Sequence, residues 1–585
     1  MATPAGTDVD AVVEGLRAAG VGRTDELACC LAAGVGAAVS LGDERPTWTV
    51  DGPDADELVR RIEHELAPRW VVWSGDTARW LADRDVRVAR CWDIAAVHRL
   101  VDGGWRADPA RVWASLHGLD VPEVAPPGPL DLFTHAEADL GRADEPIGPD
   151  GHIRPGWTGI DATWTRSRLA RWAQLAVTTA SLQRERLAVL PDSRRALATA
   201  RSESTIELLC AELEVHGLPF DRQVAEQIIG DLVGPRPTGE REALEQRRRR
   251  DAEVLHHSPV ATTDLRNPAQ VKSMFRSVGI ELVDTRAWRL EALRGQHPLV
   301  DAVLAWRKAE RISTTFGYGW IDAHVGTDGR LRGEWSGCDG AAGRMTATAG
   351  LHNMPALLRD AVVADADHVF VRADLGQIEP RVLAAVSGDP ALAQATTQAD
   401  LYAPVAAQLG VDRATAKVAV LGAMYGQTTG HGAHALRRLH ASYPVAMGYL
   451  DDADAAARGG LDLRTFGGRR IRMASTAGIA DERDSRSRAA AQGRYGRNAM
   501  VQGAAAELFK VWALIVRARG AALGAQIVLC LHDELVVHVP AAHGEELAVL
   551  VGDCLEEAAQ RWSPTRDVHF IAEVGVFTRW SDAAS

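Results

Sequence analysis

Lysine is nearly missing from this chain: four in 585 residues, at 272, 308, 417 and 510, so that almost every positive charge is an arginine. The net charge of −13 excludes a uniformly basic nucleic-acid binder. It leaves room for a basic channel in an acidic body, because counterion release depends on local phosphate contacts. Cysteine is scarce as well. The seven cysteines (29, 30, 91, 210, 338, 530 and 554) form no CxxC and no Cys/His ligand spacing, which argues against a structural zinc and for reduced, cytoplasmic thiols. No stretch approaches the roughly 20 apolar residues that span a bilayer. The first residues, MATPAGTDVDAVVEG, lack a basic segment followed by an apolar one, so no signal peptide is expected. The length predicts three or more domains.

What is present is carried by three stretches. Residues 366–384, ADHVFVRADLGQIEPRVLA, read as a short apolar strand ending in Asp374, followed by a helix. An isolated acid there would most often be a solvated turn residue. Residues 413–426, RATAKVAVLGAMYG, read as a helix with Arg413, Lys417 and Leu421 at i, i+4 and i+8 on one side. The same turns carry Ala416, Val418, Val420 and Met424, which suits a helix lining a cleft. Residues 526–540, QIVLCLHDELVVHVP, read as two apolar strands around His532-Asp533-Glu534, a hairpin with acids at its tip.

A carboxylate after a strand, a basic helix and a carboxylate pair in a hairpin, in this order, resemble the three polymerase motifs of family A DNA polymerases. The resemblance runs from about residue 203 to 582. It implies an α/β and α+β multidomain fold: a right-hand polymerase of palm, fingers and thumb, preceded by a ribonuclease H-like, exonuclease-type α/β domain. The expected boundaries are 1–117 for the exonuclease-like domain, 118–202 for a linker and joining helices, and 203–328 for the thumb and start of the palm. The palm then takes 329–399, the fingers 400–510 and the C-terminal part of the palm 511–585. The family's 5′-nuclease domain is expected to be missing.

The activity implied is template-directed addition of deoxynucleotides to a primer 3′-hydroxyl. Asp374, Asp533 and the carbonyl of Leu375 would hold two Mg²⁺ ions, with Mn²⁺ as a substitute. Glu534 would be an accessory ligand. Arg413 and Lys417 would oppose charge on the triphosphate and the leaving pyrophosphate, so Lys417 also counts as catalytic. Gln377, Glu379, Leu421, Tyr425 and His532 complete the nucleotide-binding set, with Glu379 beneath the sugar. Arg344, Arg381, Arg494, Asn498 and Gln502 are the DNA-binding set. The last three stand at i, i+4 and i+8 in RYGRNAMVQG, and their type suits sequence-blind contact in the minor groove. Arg247 to Arg250 suit a thumb gripping phosphates. The partners implied are primer–template DNA and dNTP, for a monomer acting in a bacterial-type cytoplasm on nucleoid DNA, with no membrane.

Several positions depart from the family's pattern: Asp374-Leu375-Gly376 for Asp-Tyr-Ser, Tyr402 for a histidine, and Leu421 for an aromatic. Residues 1–115 alternate apolar runs with helical stretches, as an α/β domain does, but contain no Asp-x-Glu on a strand. A two-metal nuclease needs about four converging carboxylates. The domain is therefore expected to be inactive. The alternatives are a catalytically impaired DNA-binding scaffold, or a 3′–5′ exonuclease acting through the N-terminal domain. The intact set Asp374, Glu379, Arg381, Arg413, Lys417 and Asp533 argues against the first, and the missing carboxylates against the second.

Overall fold

A computed structural model describes residues 8–121, 145–159, 164–426, 433–474 and 482–583. The chain divides into two compact units. The first comprises 1–216, 334–346 and 371–576, and the second 217–333, 347–370 and 577–585.

The first unit opens with a five-stranded mixed sheet: β1 (Glu26–Ala32), β2 (Gly36–Ser40), β3 (Thr47–Asp51), β4 (Arg69–Val72) and β5 (Cys91–Asp93), in the order β3-β2-β1-β4-β5. The first three strands are antiparallel neighbours, whereas β4 runs parallel to both β1 and β5. The apolar stretch 86–89 precedes β5 and is not a strand. Side chains of β1 alternate between two cores, as a pleated strand requires. Leu27, Cys29 and Leu31 pack with Val9, Val12 and Leu58 on one face. Ala28 and Cys30 pack on the other with Trp92 and with Leu169 and Trp172 of helix α1 (Arg166–Ala188). The adjoining Cys29 and Cys30 thus point to opposite faces. Burial pushes the Cys29 thiol up to about 12 and also holds the Cys30 thiol well above its usual value, so neither is poised for chemistry.

Helix α2 (Ser193–His216) belongs to the first unit and the expected thumb boundary at 203 falls inside it; the second unit begins at Gly217. There the backbone turns left-handed at φ +64°, which favours glycine. The expected fingers–palm boundary at 511 likewise cuts a continuous helix, α5 (Glu482–Gly520). The helical run Asp484–Leu523 is long and apolar enough to cross a membrane, contrary to the expectation from sequence, but 83% of its apolar window is buried inside the protein. A rare lysine explains part of that packing. Lys510 Nζ donates to both oxygens of buried Glu203 of α2, at 2.7 and 2.8 Å, and Arg469 pairs with the same carboxylate.

The palm sheet consists of β6 (His368–Leu375), β7 (Gln526–Cys530), β8 (Glu534–Pro540) and β9 (Ala572–Phe577), in the order β7-β8-β6-β9. The hairpin β7–β8 pairs Cys530 with Leu535 and shifts register between Ile527 and Leu529. Between β6 and α5 lie α3 (Ile378–Ser387) and α4 (Arg413–Met424).

In the second unit, the helices Glu240–Leu255, Pro268–Ser277 and Pro298–Thr315 share a core that includes Val254, Val271, Phe275, Val303 and Trp306. Asn267 caps the second of these, its side chain accepting from the amides of Ala269 and Gln270. Of the run Arg247 to Arg250, Arg247 and Arg250 face Glu310, leaving Arg248 and Arg249 as its exposed members outside that ion-pair group.

Candidate active site

Asp374 is the penultimate residue of β6, and Asp533 sits in the turn between β7 and β8. Backbone hydrogen bonds bring them together. The Leu375 amide donates to the Asp533 carbonyl at 2.7 Å, the Leu531 amide donates to the Glu534 carbonyl at 2.8 Å, and Gly376 donates to Ile571 beside β9 at 3.0 Å. A hairpin tip is thereby fastened to the end of the central strand, and its acids meet the acid that closes that strand.

The charges crowd one another. Asp374 is pushed up to about 6 by burial and by Asp533, with Glu534 and Glu573 adding to this. Arg372 acts in the opposite sense but does not cancel the shift. Asp533 is raised by burial and by Glu534. Glu534 is buried, and both its oxygens accept from Arg372, at 2.8 and 3.3 Å. The same guanidinium reaches Asp374 Oδ2 at 2.9 Å. The sequence reading passed over Arg372. The signal for it was a charged residue inside an apolar strand, two positions before the acid and therefore on the same face.

A second group adjoins the first. The Tyr425 hydroxyl donates to Glu379 Oε2 at 3.0 Å, and Arg344 stands 3.5 Å from Glu379 Oε1. Gln502 hydrogen-bonds Tyr425, and Arg344 acts electrostatically on His532 and Asp533. Burial raises Glu379 and lowers His532, and Arg344 adds to the His532 shift. Five of the sequence-predicted residues thus converge: Arg344, Glu379, Tyr425, Gln502 and His532. Arg494 is exposed beside Gly426, where an added Cβ would lie 2.6 Å from its Cγ; Asn498, one turn on, is half-buried.

On α4, the Asp412 side chain accepts from the Thr415 amide and caps the helix. Arg413 forks onto Asp400, at 2.5 and 3.2 Å, and lies over the Tyr402 ring at 5.8 Å. Gln377, held at φ +55°, donates to Asp400 at 2.9 Å and accepts from the Leu401 amide at 2.8 Å. Asp400 is thus the hub that joins two predicted nucleotide-binding residues, and sequence reasoning missed it too. Lys417 is exposed on the turn after Arg413, and Leu421 is half-buried.

One predicted DNA contact is corrected. Arg381 has no exposed surface and gives its donors to five backbone carbonyls, those of Gly376, Thr396, Gln398, Ala399 and His569, at 2.6–3.0 Å. It braces the loops around the site and does not reach outward.

Among the described residues no group of three or more His, Cys, Asp or Glu side chains has metal-site geometry. Two carboxylates that are both held above the ordinary range, Asp374 partly by Asp533, and that are tied by adjoining backbone nevertheless fit a hard divalent cation whose other ligands are carbonyl and solvent oxygens.

The model for DNA polymerase family A matches residues 264–582. The chain is 31% identical over 327 residues to a thermostable DNA polymerase I of Thermus filiformis, covering 50% of this chain and 38% of that one. It is 25% identical over 465 residues to the DNA polymerase I of Deinococcus radiodurans, covering 72% of this chain and 45% of the other. It thus spans less than half the length of those curated relatives. The solved POL domain of Pol1 from M. smegmatis, in complex with DNA primer-template and dNTP, superimposes with a TM-score of 0.69 at 21% identity. That match covers 99% of this chain and all of the other, and shows a shared fold.

Proposed function

The chain belongs to DNA polymerase family A, and from that membership we propose that it copies a DNA template by adding deoxynucleotides to a primer 3′-hydroxyl. The observation that carries the reading is the convergence of Asp374 and Asp533 at the tip of the palm sheet, beside Glu379, Tyr425 and Arg344. The substrates are primer–template DNA and dNTP, and the enzyme acts as a monomer in the cytoplasm. Extension of a labelled primer by purified protein tests it; a protein that binds the duplex but adds no nucleotide would leave only the scaffold.

Asp374, Asp533 and the Leu375 carbonyl would hold two Mg²⁺ ions, or Mn²⁺ in their place. Such ions, when bound, supply activation of the hydroxyl and neutralisation of phosphate charge. The chain's own groups do the rest. Arg413 can exchange Asp400 for a phosphate oxygen, since guanidinium forks suit both. Lys417 adds a point charge one turn along, opposing the charge that builds on the leaving pyrophosphate. Tyr425 and Glu379, joined by their hydrogen bond, form a wall for the sugar. Arg344, Asn498 and Gln502 suit groove contacts that do not read sequence, and exposed Arg494 suits the template strand.

Removing that wall should change sugar choice. Glu379→Ala is expected to raise ribonucleotide incorporation far more than it lowers dNTP use, because a 2′-hydroxyl is rejected by exclusion and not by lost attraction. Competition between ATP and dATP on one template checks this. Unchanged discrimination would remove Glu379 from the role.

Acid should act through Asp374. A carboxyl raised from 3.8 to about 6 holds its proton below that pH, and a protonated acid is a poor cation ligand. Mn²⁺ affinity is therefore expected to fall as pH drops through about 6, well above the range of an ordinary aspartate. In cation-free protein the sign reverses: the folded state binds the proton more tightly, so Asp374 contributes stability that is fully present below 3.8 and is lost as pH rises to about 6. Calorimetric titrations with Mn²⁺ on either side of pH 6 read the first effect, and melts without metal read the second.

The N-terminal α/β region is read as packing and not as a nuclease. Its acids hold structural positions: Asp93 is buried, caps the next helix through the Ala96 amide and is acted on by Glu207 and Asp76, Asp76 itself is exposed, and Asp85 lies in a turn at φ +53°. A 3′-mismatched primer given Mg²⁺ or Mn²⁺ without dNTP should stay intact. Shortening that vanishes on mutating Asp76, Asp83, Asp85 or Asp93, yet persists in Asp374→Ala, would reverse this.

A further inference from the structure

Arg372 and Asp374 lie two residues apart on β6 and therefore share a face of the palm sheet. The Arg372 Nε and Nη2 atoms fork onto Glu534 at 2.8 and 3.3 Å, and Nη2 also reaches Asp374 Oδ2 at 2.9 Å. One guanidinium thus bridges two of the three acids at the site. The Glu534 side chain is 6% exposed and that of Arg372 is 18% exposed, whereas Asp374 retains 34%. Glu573, on the neighbouring strand β9, adds a fourth negative charge that acts on both Arg372 and Asp374.

Two consequences follow. Glu534 has both oxygens engaged by a part-buried fork, a geometry more specific than a point-charge contact. Asp374 has one oxygen engaged by a cation that the protein itself supplies. A divalent ion arriving at Asp374 and Asp533 meets a fixed unit of positive charge a few ångströms away, in surroundings less polar than water, where such repulsion counts.

We propose that Arg372 is an internal counter-cation of the catalytic carboxylates: a positioning residue that holds Glu534 out of the metal's reach and competes with the divalent ion for Asp374. The palm is thereby kept in order without metal, and metal affinity is set low. The inference rests on the polymerase reading for the identity of the metal ligands.

The test is Mn²⁺ binding to the full chain, followed by electron paramagnetic resonance of free Mn²⁺, in wild type, Asp374→Ala, Arg372→Gln and Arg372→Gln/Glu534→Gln. The double variant neutralises both members of the pair, so Glu534 is not left charged without its Arg372 partner, and it keeps the test readable where the single variant fails to fold. Wild type should bind Mn²⁺ and Asp374→Ala should not. Both Arg372 variants should bind it about tenfold more tightly, with a larger rise in melting temperature on adding Mn²⁺. A purely structural arginine would lower the melting temperature equally with and without metal and leave affinity in place. Affinity within about twofold of wild type in the variants that fold, or weaker, overturns the proposal while leaving the metal assignment standing. Wild type that binds no better than Asp374→Ala overturns both.

Discussion

Replacing Asp374 or Asp533 with alanine should abolish primer extension while leaving duplex binding almost unchanged. The two carboxylates stand at the end of the central palm strand and in the turn of the adjoining hairpin, with their backbones tied by the Leu375–Asp533 hydrogen bond. Each is driven upward in pKa by burial and by its acidic neighbours. Such crowding costs stability in the absence of a cation and is relieved by one. Losing either acid should forfeit several kcal/mol of charge stabilisation at the reacting phosphate, about a thousandfold or more in rate. The fold should hold, because neither acid belongs to a packed core, although both are partly shielded from water in the cleft. Duplex affinity should also hold, because the proposed phosphate and groove contacts are made by arginines and amides other than these two acids. Single-turnover extension alongside a binding isotherm separates the two effects. Extension within about tenfold of wild type, a loss of only about 1.4 kcal/mol, would remove these residues from the chemistry.

Arg381→Ala should be the most destabilising single change near the site. The side chain is fully buried and satisfies carbonyls from three separate segments: Gly376 before α3, Thr396 to Ala399, and His569. Removing it leaves those acceptors without a donor and opens a cavity, at about 1–3 kcal/mol for each unsatisfied group, with incomplete additivity. A total of about 4 kcal/mol or more is expected, a large share of the roughly 5–15 kcal/mol that holds a domain together. Arg381→Lys should not rescue it, since an ammonium cannot fork across carbonyls spaced this way. Thermal melting reads the effect. Duplex affinity measured where both proteins remain folded should not change, because Arg381 does not reach the surface. A stable variant with weakened DNA binding would restore the groove contact that the sequence suggested.

The difference between Arg381 and Arg372 marks the limit of reading from sequence. Both arginines flank Asp374 within seven residues, and nothing local distinguishes an outward contact from a buried brace. Arg381 finds an acceptor 188 residues away and Arg372 one 162 residues away, and no pattern of neighbours encodes such partners. Lys510 was similarly opaque: its partner Glu203 lies 307 residues upstream.

Elements with local causes were legible in the chain itself. The strand ending at Asp374, the helix Arg413–Met424 and the hairpin carrying Asp533 follow from period-2 and period-3.6 patterning, and Asn267-Pro268 starts a helix as those residues do elsewhere. The expected boundaries at 203 and 511 fall inside the helices Ser193–His216 and Glu482–Gly520, because a helix continues through them on backbone hydrogen bonds that no single residue type marks. The sequence by itself determined which residues could do chemistry and the order in which they come. Only the tertiary structure decided which of those charges face the cleft and which are spent inside. A charge's role depends on what lies within a few ångströms of it, and for Arg372, Arg381 and Lys510 the deciding partners are brought there by folding and not by sequence proximity.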